Sequence, residues 1–300
     1  MMIAAVMVLY HPDMTLLERA IYCLDGQVDK LHLIDNTPAP SDALRELWRK
    51  SHVMVEYVAL RGNRGLATAQ NLAIQVCFRE GCSHVLLLDQ DSVVPRGFTE
   101  KLLEAEQSLE ALGFRVAAVG PAFIDRKTRQ KSYAIRYGWF HVKKIQIDQP
   151  HQGPVETDWL IASGSLIQCK VLHEAGMMRD ELFIDWVDAE WGLRARQMGL
   201  RSFIVPENVM EHSIGDSPKR LLNYEFNLHS TARNYYIVRN AVYLLQPKEL
   251  GWKWVTTMLL RIPKHIVVHS WYSKDKWRSF TSMMRGVFDG FRGRLGPIEG

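Results

Sequence analysis

Short apolar runs alternate with longer stretches of helical spacing through the first half of the chain. Ile3–Leu9, Leu31–Ile34, Val53–Ala59, Val85–Leu88 and Val116–Val119 read as strands, and the near-continuous apolarity of several suits burial on both faces of a sheet. Between them, helical patterns run from Thr15 to Gly26, Ser41–Lys50, Leu66–Arg79 and Arg96–Leu112. Asp13 stands where a cap is needed and Gly26 where the first helix should stop. Strands alternating with helices predict βαβ units and a mixed, mostly parallel α/β sheet flanked by helices.

The rhythm then changes. Lys131–Tyr137 reads as an antiparallel strand, and residues 138–156 as a loop broken by Gly138, Pro150, Gly153 and Pro154. Trp159–Ile167 is strand-like around Ser163-Gly164-Ser165, Asp188–Met198 is helical up to Gly199, and Arg201–Val205 is a strand ended by Pro206. From Pro218 the pattern is helical, with breaks expected near Pro247, Pro263 and Gly286. A boundary near residue 216 divides an α/β unit, 1–215, from a C-terminal helical extension, 216–300.

The composition, 47% hydrophobic and 23% charged over 300 residues, is ordinary for a folded chain of this length. Charge is more informative. Residues 216–300 carry 14 Lys and Arg against 6 Asp and Glu, whereas residues 1–215 carry 23 against 27. The whole basic excess therefore lies in the helical extension, with four of the nine tryptophans. Cys23, Cys77, Cys82 and Cys169 lack metal-ligand spacing and read as free thiols of a reducing, cytoplasmic setting. The first apolar run is too short for a signal peptide, and no apolar run reaches the length that crosses a bilayer.

Chemistry concentrates where apolar runs end. Leu86-Leu87-Leu88 leads straight into Asp89-Gln90-Asp91-Ser92. Carboxylates at the C-terminal tip of a buried strand sit where open α/β sheets bind ligands, and a hard divalent cation carrying phosphates would relieve their repulsion. An acidic turn capping the next helix is the alternative. Arg61-Gly62-Asn63-Arg64-Gly65-Leu66 opens a helix, so it suits an anion or a tight strand-to-helix turn, and Arg64 can pair with phosphate. Asp35, at another strand tip, could accept a pyrimidine N–H or serve its turn beside Asn36. Asp185, Asp188 and Glu190 crowd the start of a helix; Asp188 could cap it or act as a general base. His212 lies 24 residues beyond Asp188 and could complete a cation site or be structural.

Taken in order, these residues resemble the inverting GT-A glycosyltransferases of family 2, and in particular a bacterial rhamnosyltransferase branch. The resemblance is carried by Tyr10-His11-Pro12, Ile34-Asp35-Asn36, Asn63-Arg64-Gly65-Leu66-Ala67 with Asn71, Leu88-Asp89-Gln90-Asp91-Ser92, Ser163-Gly164-Ser165 and Phe183-Ile184-Asp185-Trp186-Val187-Asp188-Ala189-Glu190-Trp191. Asp289-Gly290-Phe291-Arg292-Gly293-Arg294 also matches that branch, so the resemblance spans nearly the whole chain. It implies a GT-A, Rossmann-like fold and a donor site formed by Tyr10, Asp35, Asn63, Arg64, Asn71, Asp89, Gln90 and Asp91. It implies Mg2+ or Mn2+ at Asp91 and Asp89 with His212, and Asp188 as base with Asp185 and Glu190 as rivals. Trp159, Ser165, Asp185, Trp186 and Glu190 would face the acceptor. The family's usual Glu before the base is Val187 here, which suits the rhamnosyltransferase branch and leaves those rival bases open.

The implied activity is transfer of rhamnose from a dTDP-sugar to a saccharide or lipid-linked saccharide in cell-surface polysaccharide synthesis such as O-antigen. A UDP-sugar-dependent hexosyl- or galactofuranosyltransferase is the alternative. A nucleotidyltransferase would need a Gly-rich basic loop after the first strand, where Tyr10-His11-Pro12-Asp13 stands instead. A non-catalytic membrane-surface scaffold would have no use for the full set of carboxylates. Trp252, Trp254, Trp271 and Trp277 interleaved with Arg261, Lys264, Lys274, Lys276 and Arg278 suit an anionic membrane surface on the inner face of the cell membrane. The same aromatics could instead pack on the catalytic unit or on a second copy in a homo-oligomer. No nucleic-acid fold signature accompanies them, so nucleic acid is not an expected partner.

Overall fold

Alternate side chains of the first strand face different layers, and that alternation organises the molecule. In the computed structural model, β1 (Ile3–Leu9) leads through α1 (Met14–Tyr22) to β2 (Lys30–Asp35), and through one helical turn, α2 (Leu44–Leu47), to β3 (Met54–Ala59). Next come α3 (Leu66–Arg79), β4 (His84–Asp89), α4 (Phe98–Ala111) and β5 (Val116–Asp125). A hairpin of β6 (Tyr133–Tyr137) and β7 (Val142–Gln146) precedes β8 (Val155–Thr157), β9 (Ser165–Gln168), α5 (Cys169–Ala175), α6 (Val187–Gln197) and β10 (Arg201–His212). A ribbon of β11 (Pro218–Leu221) and β12 (Tyr224–Asn227) and helices α7 (Thr231–Tyr243), α8 (Trp252–Tyr272) and α9 (Lys276–Arg292) follow. The structure describes all residues except 42, 50, 126–131, 148–152, 213–217, 222–223, 228–229, 246–249 and 299–300, and omits the side chains of 45, 125, 212, 218–221 and 224–227.

The main sheet has the order β3-β2-β1-β4-β9-β5-β10-β8. Strands β1 to β4 are mutually parallel, β9 and β8 run antiparallel to their neighbours, and β10 is parallel to β5. Ile3, Ala5, Met7 and Leu9 pack on the face covered by α1 and α4, through Leu17, Ile21, Phe98 and Leu102. Ala4 and Val6 belong to the opposite core with Ala67, Ala73 and Ile74 of α3. Val238, Trp254, Met258, Ile262 and Met283 join that same core, so the C-terminal helices and the sheet share one apolar interior. The chain leaves β1 towards β2 on one side and returns through β4 on the other. Order therefore reverses at β1–β4, and the ligand crevice of such a sheet opens at the strand C-termini there.

The predicted α/β alternation holds, and Asp13 caps α1 by accepting the N–H groups of Thr15 and Leu16. Several boundaries differ for physical reasons. The helix expected over Ser41–Lys50 is only α2, because Asp25 Oδ1 takes the N–H groups of His52 and Val53 and turns the chain into β3. The expected 138–156 loop contains β7 and β8; Gly138 N–H donates to the His141 carbonyl and closes a hairpin. The strand-like Trp159–Ile167 is a turn followed by β9. Pro206 does not end β10, since a register shift between Val205 and Val209 absorbs Pro206-Glu207-Asn208, and β5 extends alongside it to Asp125. The stretch after Pro218 begins as a ribbon: Tyr224-Glu225-Phe226-Asn227 alternates with period two, and helix resumes behind the Ser230 cap. Pro263 lies inside α8, where buried Ile262 and Ile266 hold the helix despite the missing N–H, and Gly286 lies inside α9. Pro247 falls outside the described residues. All four cysteines are free, and no helix among the described residues is long and apolar enough to cross a membrane.

Candidate active site

Four strand tips and two turns converge at the β1–β4 crevice. Asp89 ends β4, and Asp91 follows two residues later, both half-buried. The Asp89 N–H donates to Ser163 Oγ (3.4 Å), and the Ser163 and Ser92 hydroxyls are 2.5 Å apart. Gly164 N–H donates to the Leu87 carbonyl at 2.7 Å, so the 163–165 turn is stitched along the acidic strand tip. Ser165 itself is buried, its hydroxyl donating to the Ile161 carbonyl. Gln90 exchanges hydrogen bonds with the backbone of Tyr10, fastening the β1 and β4 tips together and leaving the Tyr10 ring exposed.

Asp35 is fully buried and accepts from Thr37 N–H and Tyr57 OH, each at 2.8 Å. Its neighbour Asn36 clamps the next loop, accepting from Arg64 N–H (3.1 Å) and donating to the Gly65 carbonyl (3.0 Å). Asn63 Oδ1 accepts Gly65 N–H, and Asn63 and Arg64 are exposed at the crevice edge. Gly65 has φ +88°, and a Cβ there would lie 2.7 Å from Phe183. Leu66 N–H donates to the Phe183 carbonyl at 2.6 Å, so the start of α3 is tied directly to the acidic turn. Asn71 is buried, with its amide engaged by Met178 and Asp180; it braces the approach to that turn.

Within the turn the three acids have different surroundings. Asp185 faces Arg233 of α7 at 3.0 Å. Glu190 is fully buried between Arg179 (2.9 Å) and Arg194 (2.8 Å). Asp188 is half-buried and accepts the N–H groups of Ala189 and Ala162, and among the described residues no cation pairs with it. Burial, with a smaller push from the Asp89 charge, raises its carboxyl to about 6. That coupling puts Asp188 in the same electrostatic field as the β4 tip. Trp186 donates its indole N–H to the Ile237 carbonyl and meets Trp254 edge-on at 5.1 Å, and Trp254 meets Tyr137 in the same way. Trp159 packs on Gly192, one turn from Asp188 along α6. The His212 backbone ends β10; the adjacent Glu211 bridges Val93, two residues beyond Asp91, while the His212 side chain lies outside the described atoms.

Residues 15–176 match the family described as Glycosyl transferase family 2. The chain is also 31% identical over 305 residues to the dTDP-rhamnosyl transferase RfbF of Shigella flexneri, covering 98% of this chain and 97% of that protein. The chain belongs to glycosyl transferase family 2. This family 2 glycosyltransferase also shares its fold with two solved structures. One is GalNAc-T7 with UDP, GalNAc and Mn2+ (TM-score 0.59, 15% identity, 96% of this chain); the chain spans 57% of its length. The other is S. aureus TarS 1–349 in complex with UDP-GlcNAc (TM-score 0.57, 11% identity, 97% of this chain and 81% of that one). The fold and family expected from the motifs therefore hold: this is a glycosyltransferase with a GT-A sheet.

The β4 tip of this family 2 glycosyltransferase fits a hard divalent cation. Its donors are carboxylate oxygens, half-exposed to the crevice, and no described Lys, Arg or His forms an ion pair with Asp91. Asn36, Ser163, Arg233 and Tyr137 also shape the site and were not singled out from sequence as parts of it. Asn36 and Ser163 had local signals, as members of the Ile34-Asp35-Asn36 and Ser163-Gly164-Ser165 motifs. The others reach the crevice from elements far away along the chain.

Proposed function

We propose that this protein transfers rhamnose from dTDP-rhamnose to a hydroxyl of a saccharide acceptor, inverting the anomeric carbon. The donor reading is supported by the near end-to-end likeness to the Shigella flexneri dTDP-rhamnosyl transferase. The chemistry is carried by one observation: of Asp185, Asp188 and Glu190, Asp188 alone has no cation paired with it among the described residues, and it lies in the field of Asp89 at the β4 tip. A base near pH 6 is ionised at neutrality yet basic enough to draw a proton from a reacting hydroxyl. In this reading Asp188 takes the acceptor's proton while the hydroxyl oxygen attacks the face of the anomeric carbon opposite the nucleotide. The new C–O bond forms as the old one breaks, and the electron pair leaves with dTDP. Asp89 and Asp91, with His212 as a third ligand, would hold Mg2+ or Mn2+. That ion supplies positive charge beside the departing diphosphate. Tyr10, Asn63 and Arg64 flank the donor, and Trp159 and Trp186 the acceptor.

The test is a donor panel with Mg2+ and with Mn2+, read by nucleotide release and by the anomeric configuration of the product. Release from dTDP-rhamnose with inverted product is expected. A retained configuration overturns the single displacement, and turnover of UDP-sugars alone overturns the donor.

The acceptor is proposed to be lipid-linked, held at an anionic membrane surface on which this chain sits peripherally. Trp252, Leu259, Leu260, Val267 and Trp271 recur along one exposed stripe of α8, and Trp277, Phe280, Phe288 and Phe291 along α9. Trp277 is 73% exposed and Trp271 67%, with the Lys276 ammonium 4.6 Å from the Trp271 ring centre. Exposed Lys264, Lys274 and Arg278 add positive charge on the same helical hairpin. Full-length protein is expected to sediment with anionic vesicles, and less so at high salt. Trp271→Ala with Trp277→Ala should leave it in the supernatant; equal sedimentation of both proteins, or of neither, overturns the membrane partner.

A further inference from the structure

The turn that delivers Asp188 is strained. Phe183, Asp185 and Trp186 have φ of +67°, +62° and +66°, a left-handed region that side-chain-bearing residues rarely enter and only under strain. Such a conformation persists only where its surroundings dictate it. Here the dictating groups come from α7. Asn240, with no solvent exposure, sets its single amide nitrogen within bonding distance of three carbonyls: Leu182 (2.9 Å), Ile184 (2.8 Å) and Asp185 (3.1 Å). Arg239, 1% exposed, adds a second bond to the Leu182 carbonyl and reaches the Gly296 carbonyl. The Leu182 carbonyl also accepts from Arg239 and from Ile184 N–H, so the carbonyls that depend on Asn240 are those of Ile184 and the left-handed Asp185.

The back of α7 is fixed in turn by α9. Asp289 accepts the Tyr235 hydroxyl at 2.9 Å, and a Cβ on Gly290 would lie 2.5 Å from the Arg239 carbonyl. Only glycine permits α9 to lie so close, which gives the Asp289-Gly290 pattern a physical purpose. On its other side the turn touches the donor loop, through Leu66 N–H on the Phe183 carbonyl.

We propose that Asn240 is a positioning residue for glycosyl transfer: its amide gathers the carbonyls of Leu182, Ile184 and Asp185 and so fixes the turn that aims Asp188 at the acceptor hydroxyl. The inference rests on the reading of Asp188 as base. The side chain touches neither substrate; it acts through the turn.

The test uses the full-length enzyme. Asn240→Leu keeps the branched shape and removes the donor, together with the acceptor for Arg239 Nε, and Asn240→Ser keeps one shorter donor. Nucleotide affinity with Mn2+ should stay within about twofold of wild type, while kcat falls about 30- to 100-fold in the Leu variant and less in the Ser variant, the scale expected for a base displaced by about an ångström. The acid limb of the kcat–pH profile should also move to lower pH than in wild type, as water reaches a loosened Asp188. A structural role alone would lower melting temperature without moving that limb. Wild-type kcat and an unmoved limb in a cooperatively melting Leu variant overturn the proposal; if that variant does not melt cooperatively, the same result in the Ser variant does so. Asp188→Asn is assayed beside them. Activity surviving there overturns the base itself, whereas an inactive Asp188→Asn beside a fully active Asn240→Leu overturns only the positioning role.

Discussion

Asp188→Asn should lower the rate of transfer by about a thousandfold or more while nucleotide binding stays within about twofold of wild type. General-base catalysis contributes about 10²- to 10⁴-fold, and neither of the turn's other two acids is free to replace the lost carboxylate. Asp185 is held by Arg233, and Glu190 is buried between two arginines. Calorimetric titration of dTDP with Mn2+, alongside a nucleotide-release assay, separates the two effects; transfer close to wild type would remove Asp188 from the mechanism. The same variant carries a stability signature with a definite sign. Burial raises the carboxyl from 3.8 to about 6, so the folded state favours the protonated form and ionising it costs stability as pH rises through 6. A neutral Asn escapes that cost. The variant should therefore melt above wild type at pH 8, by at most about 3 kcal/mol for a shift of about two units. The advantage should shrink as pH falls through 6 and vanish below the ordinary Asp range. An enzyme that gains stability on losing its base trades folding energy for function.

Asp91→Ala should abolish the dependence of nucleotide binding on divalent cation. In wild type, dTDP affinity should fall about 100-fold when the cation is chelated, because the diphosphate then faces two carboxylates without a bridging charge. The variant should bind weakly with or without Mn2+, and the chelator should change little. Asp91→Asn retains one oxygen donor and should fall between. Titrating dTDP into each protein with and without Mn2+ gives the answer directly; a variant that binds as tightly as wild type in Mn2+ would take the ion away from Asp91.

Much of this was readable from the chain. An apolar run such as Leu86-Leu87-Leu88 has to be buried on both faces, so the carboxylates at its end must emerge at the sheet's rim. The same logic put Tyr10, Asp35 and the Asn63-Arg64 turn there. What escaped were features whose causes are not local. The Pro206 bulge depends on β5 extending beside it. Gly286 looked like a helix breaker and is instead a close-packing site, with a would-be Cβ 2.8 Å from the Tyr235 carbonyl. The Tyr224–Asn227 strand alternates over only four residues, too few to stand out within a helical stretch.

By itself the sequence determined the α/β layering, the family, and the set of acids available at the strand tips, because burial of apolar runs and the period of side chains are properties of local order. Tertiary structure decided how the three acids are surrounded. Arg233 reaches Asp185 from α7, Arg179 reaches Glu190 from ahead of the turn to join Arg194 one turn along α6, and the Ala162 turn and the Asp89 charge set the surroundings of Asp188. The Glu190–Arg194 pair has the i,i+4 spacing of a helix and is legible in the chain, but charge pairing and desolvation act over a few ångströms of space, so spacing alone could not bring Arg233 to Asp185 or Asp89 to Asp188.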